Sequence, residues 1–148
     1  MDKSDLSKEL RESFFQAFSE ETDRAVGIIS VCYLDDLLEK LITASYVKDP
    51  RAKSLFRNEN LLQSFFAKIN IAYFSGLIPK VVYHDLKLIC EIRNRFAHAI
   101  IADLKFTDEK ISKKIDSFAQ LPPNVIDIYP PRMKFVLIVS HIGSLLRA

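Results

Sequence analysis

The sequence predicts an all-α protein, a single-domain helical bundle of about five to seven helices. Two observations carry this. Apolar residues recur at steps of three and four through several long stretches, the mark of a helix face. Breaks such as Asp49-Pro50, Ser75-Gly76 and Pro122-Pro123 fall between those stretches, and no repeat, low-complexity tract or linker divides residues 1–148.

A first helix is expected over residues 5–18, where Leu6, Leu10, Phe14 and Phe18 recur as a docking stripe. Ser19, Glu20, Glu21 and Thr22 then resemble a helix start, with carboxylates near the positive end of the dipole. The second helix, about residues 20–44, is apolar around much of its circumference, which is the pattern of a central helix. One of its stripes is Ile28, Val31, Asp35, Leu38 and Ile42, so Asp35 puts a carboxylate among core positions. Residues 48–60 read as a polar loop with a short helical turn anchored by Leu55 and Phe56, because Asp49 precedes a proline.

A third helix over residues 60–74 carries Leu62, Phe65, Phe66 and Ile69 and ends at Ser75-Gly76, a left-handed cap. Pro79 suits the first turn of a fourth helix that runs to about residue 100. Short joints favour antiparallel neighbours. Thr107-Asp108-Glu109 opens a fifth helix that reaches Ala119. Val125 to Tyr129 is expected to be extended, and Met133 to Leu146 forms a last apolar helix.

The fourth helix organises the chain. Val82, Leu86, Ile89, Arg93, Phe96 and Ile100 trace a core-facing stripe, in which Arg93 is the anomaly. A buried guanidinium is costly unless a carboxylate meets it, so Arg93 is expected to form a structural ion pair with Asp35. Glu91, Asn94, Arg95 and His98 mark a polar face, the expected docking surface. Arg93 and His98 project about 140° apart on a regular helix, so they share one site only across a bend or between two chains.

Composition narrows the chemistry. With 49% hydrophobic and 27% charged residues the chain suits a globular protein, and 3 Gly nearly exclude glycine-rich phosphate loops. A formal charge of +2 is no signature of strong nucleic-acid binding. The nearest thing to a DNA-reading helix carries Lys110, Lys113 and Lys114, and these read as a solvated face. Cys32 and Cys90 are expected to be buried free thiols, His84 solvated and His141 a packing residue. No spacing resembles a metal site, and no cofactor is expected. No signal-peptide core or membrane span is apparent, so a cytoplasmic location is expected.

Several segments taken in order carry a resemblance. They are Glu21-Thr22-Asp23-Arg24-Ala25, Tyr33-Leu34-Asp35-Asp36-Leu37-Leu38, Phe65-Phe66-Ala67-Lys68-Ile69 with Gly76-Leu77-Ile78, Asp85-Leu86-Lys87-Leu88-Ile89, and Glu91 through His98. Over residues 15–122 the chain resembles the mannitol operon repressor family. That resemblance implies an all-helical fold and a non-enzymatic regulatory role at carbohydrate operons. Action would be through a protein partner, with direct DNA binding weak or absent.

Arg93-Asn94-Arg95-Phe96-Ala97-His98 also looks like the Arg-x4-His signature of the HEPN (higher eukaryotes and prokaryotes nucleotide-binding) group. Its active members are metal-independent ribonucleases. The alternative this implies is an endoribonuclease with Arg93, Asn94 and His98 as site residues, RNA as substrate and a homodimer as the working unit.

Overall fold

The computed structural model describes residues 20–46, 48–100 and 103–147. The helix expected over residues 5–18 lies outside them. The elements are α1 (Asp23–Ser45), a 3-10 helix (Pro50–Phe56), α2 (Phe65–Phe74), α3 (Lys80–His98), α4 (Glu109–Asp116), α5 (Pro123–Ile128) and α6 (Pro131–Arg147). The fold is all-α, and no strand occurs among the described residues. None of the helices in the described residues is long and apolar enough to cross a membrane.

Local chemistry sets the boundaries. The Thr22 hydroxyl accepts from the Ala25 amide and starts α1, with Asp23 in its first turn. The third expected helix starts later than residue 60, because Ser64 is the residue that caps α2, accepting from the Ala67 amide. The preceding chain turns through Asn58 and Glu59, whose φ angles are 57° and 62°. Gly76, at φ 76°, ends α2: its amide donates to the Tyr73 carbonyl and the Leu77 amide to the Ala72 carbonyl. That pair of hydrogen bonds is the Schellman cap.

Val125 to Ile128 are helical, not extended. Pro123 stands in the first turn of α5, where its fixed φ and missing N–H suit a helix start. Those two properties outweigh the extended preference of Val125, Ile126 and Ile128.

α1 lies at the centre, packed against α2, α3, α6 and the 3-10 helix. Val26, Leu34, Leu38 and Ile42 on it are completely buried. α1 and α3 run antiparallel, so that Gly27 meets Phe96 near one end of the bundle. A Cβ on Gly27 would stand 2.7 Å from the Phe96 ring. That ring continues into a chain of aromatics, Phe96 to Phe106 to Phe135, with 4.9 Å between successive centroids. α1 and α6 run side by side in the same direction. Asp23 meets Arg132 near their starts, and Tyr33 meets Gly143 and Arg147 further on.

Two aspartates act as clamps, one beyond the C-terminal end of α3 and one in its second turn. Asp23 accepts from the Phe106 amide at 2.8 Å and pairs with Arg132 at 2.8 Å. This ties the start of α1 to the segment before α4 and to α6, and Arg24 adds a bond to the Ala99 carbonyl at 2.9 Å. Asp85 is completely buried, and its two oxygens accept from the Ala119 and Gln120 amides at 2.7 and 3.0 Å. That holds the turn after α4 against α3. Cys90 is buried as expected, whereas Cys32 and His141 lie on outward faces and are exposed.

Candidate functional site

The core stripe of α3 is Val82, Leu86, Ile89, Ile92 and Phe96. From Ile89 a helix face continues by a step of three or of four, and the structure takes three, to Ile92. Arg93 is therefore displaced to the shoulder of the stripe and is half-buried, and Ile100 is fully exposed beyond the helix.

The expected ion pair between Asp35 and Arg93 does not form. Asp35 instead receives Lys68 of α2, whose Nζ lies 2.9 Å from each carboxylate oxygen. Lys68 is almost wholly buried, also donates to the Gln63 carbonyl at 3.2 Å, and lies over the Phe56 ring. Glu39 stands 3.8 Å from the same ammonium and pairs with Arg57 at 3.0 Å. The physical reason is direction and height along the bundle. Asp35 leaves α1 on the side facing α2, while Arg93 leaves α3 near its C-terminal end, level with the start of α1 where Arg24 meets Ala99.

Arg93 donates from Nε to the Asn94 side-chain oxygen at 2.9 Å. Its guanidinium also lies against Cys90, where it opposes the burial that pushes that thiol above its ordinary pKa. Asn94 donates weakly to the Cys90 sulfur at 3.9 Å. Arg93 thus belongs to a small cluster with Cys90 and Asn94.

His98 is the last residue of α3 and is exposed. With Arg95 it brings basic side chains to the negative end of the helix dipole. Asn94, Arg95 and His98 line one open groove of about 680 Å³, whose other walls are Ala99, Ile100, Leu104 and Asp108. Glu91, one turn back on the same face, pairs with Lys114 of α4 at 2.8 Å. Three of the four expected docking residues therefore share a groove, and the fourth fixes the neighbouring helix.

A second groove of about 440 Å³ lies between α3 and α4, lined by Leu88, Arg95, Lys110, Lys113, Lys114 and Ser117. The sequence hint to it was the run of lysines on α4, read as a solvated face. What spacing alone does not reveal is that α4 turns that face towards Arg95. Lys113 pairs with Glu109 within α4 at 2.8 Å, so the surface of that helix is partly neutralised. No group of three or more His, Cys, Asp or Glu among the described residues is placed to hold a metal ion.

Compared with models of known protein families and with curated proteins, the chain matches none. The site's own geometry defines its chemistry. That geometry offers cations, an amide and an imidazole on an open surface, beside exposed apolar side chains. It is a surface suited to recognition.

Proposed function

We propose that this chain is a non-enzymatic regulatory module of the kind the mannitol operon repressor resemblance implies, working in the cytoplasm through a protein partner. One observation carries the reading: the groove that holds His98 contains Arg95 and Asn94, while Arg93 turns aside to Asn94 and Cys90. A general acid or base and a cation that stabilises developing charge must converge on one reacting phosphate. Within one chain, Arg93 is engaged with Asn94 and Cys90 and does not line the groove of His98, so a joint site would need a second chain.

Two further features support it. Asp23, Arg24, Asp35, Lys68 and Asp85, all inside the segments that carry the resemblance, are engaged in joining helices to one another. The lysine-bearing helix α4 has Lys113 and Lys114 matched by Glu109 and Glu91, which weakens it as a reader of duplex phosphates. Both features favour a scaffold with a docking surface over a DNA-reading element.

RNA incubated in EDTA with wild type and with His98→Ala is the test. Neither protein is expected to cleave it, and the two melts should agree within about 2 °C, since His98 is exposed at a helix end. Cleavage by wild type that disappears in His98→Ala would replace this reading with a metal-independent ribonuclease assembled from two chains.

A further inference from the structure

The two grooves beside the end of α3 meet at one residue. Arg95 lines both. In one groove Arg95 shares the lining with the lysines of α4; in the other it shares it with Ala99, Ile100 and Leu104, with Asp108 beside them. Its Nε is buried and meets no acceptor, which is an unusual state for a guanidinium. Neither Arg95 nor Lys110 forms an ion pair among the described residues. Lys113 and Lys114 do have partners, Glu109 and Glu91. Arg95 and Lys110 are therefore the cations of this surface left without a carboxylate among the described residues.

We infer that these grooves form one bipartite channel for a partner protein's extended acidic segment. Its carboxylates would lie against Arg95 and Lys110, and a following aliphatic side chain against Ile100 and Leu104. Charge complementarity sets the first half. Arg95 is half-buried and lines both grooves, so what its planar guanidinium presents to them can donate to a carboxylate beside the exposed Lys110 ammonium. Apolar complementarity sets the second half: Ile100 is fully exposed and Leu104 half-buried, so an aliphatic contact removes both from water.

A single-stranded nucleic acid is the less suitable occupant. Such strands are held by stacking on aromatic rings as well as by charge. No Phe, Tyr or Trp is among the lining residues of either groove, although the chain carries 11 Phe and 5 Tyr. His98 is the one ring that faces the channel among those residues.

This inference deepens the reading of the chain as a partner-dependent module, and the two can fail separately. RNA cleavage tests the module reading; direct binding tests the channel. The probe is a short fluorescein-labelled peptide with an acidic stretch followed by a leucine pair, titrated with full-length protein and followed by anisotropy. Controls are a peptide with lysines for the acids, one with serines for the leucines, and an oligouridylate of matching length.

Wild type should bind the acidic, leucine-bearing peptide saturably and the serine control more weakly. Lys110→Glu, at an exposed position, and Arg95→Glu should each weaken binding about tenfold. Ile100→Asp should weaken it while leaving the melt unchanged. The Arg95→Glu/Lys110→Glu double variant should instead accept the lysine peptide, a gain that a misfolded protein would not show. Absence of saturable binding by wild type, or binding indifferent to these substitutions, overturns the channel. Tighter binding of oligouridylate with the same residue dependence overturns the peptide assignment and makes the channel a nucleic-acid track.

Discussion

Asp85→Ala is expected to unfold the protein at a markedly lower temperature, with a loss of about 4 kcal/mol. The carboxylate is completely buried on α3 and is the acceptor for two consecutive amides, Ala119 and Gln120. Hydrogen bonds to a charged acceptor contribute about 1.5–3 kcal/mol each, and alanine removes both while adding a void. For a chain of this size the melting midpoint should fall by about 8–16 °C. Asp85→Asn retains one acceptor oxygen but turns an amide donor towards the second N–H, so most of the loss should persist. A midpoint within about 3 °C of wild type for Asp85→Ala would show that the turn after α4 is held by other contacts.

The second large effect is an asymmetry. Lys68 has 2% of its side chain exposed, whereas Asp35, its partner, has 30%. Asp35→Ala strands a buried ammonium, with Glu39 at 3.8 Å as a distant substitute, and should cost about 3 kcal/mol. Lys68→Met removes the buried charge and keeps an unbranched stem in its place beside Phe56, leaving a carboxylate that water can reach. It should cost about 1 kcal/mol or less. Adding Lys68→Met to Asp35→Ala should then recover part of the stability lost. Denaturant melts of the two singles and the double settle it. A Lys68→Met loss as large as that of Asp35→Ala would mean the pair contributes net attraction rather than mutual relief.

These two sites show what the residues made legible. Periodicity located α1, α3 and α6, and the breaks at Asp49-Pro50 and Ser75-Gly76 fall where the structure turns. Asp35 stood out because a carboxylate interrupted an apolar stripe. Its partner did not, since Lys68 reads as a surface lysine until α2 is placed against α1. The stripe of α3 was ambiguous at one step: Ile92 and Arg93 both continue from Ile89, and only the packed neighbours decide between them. Asp85 offered a usable signal, a carboxylate between Val82 and Leu86 on the core side, but its two amide donors come from a turn about 34 residues away that spacing cannot place. The face of Glu91, Asn94, Arg95 and His98 was visible as a polar register. That Arg95 joins two grooves depends on where α4 docks, and short helices like α4 carry little positional information in their sequence.

The parallel seam between α1 and α6 has a consequence for how the chain assembles. Asp23 and Arg132 are separated by 109 residues and Tyr33 and Arg147 by 114, while Asn70 and Tyr83, in the α2–α3 hairpin, are separated by 13. Closing the longer loop costs about 2 kcal/mol more chain entropy. The hairpin, with its stacked Tyr73 and Tyr83 rings, is thus the natural nucleus, and the seam closes last. Gly143→Ala, which crowds Tyr33, should accordingly hasten unfolding and leave the refolding rate nearly unchanged in stopped-flow experiments. A matching slowdown in refolding would put the seam in the nucleus. The lifetime of the folded molecule is then governed by its last contact to form, far along the chain from the hairpin that governs how fast it folds.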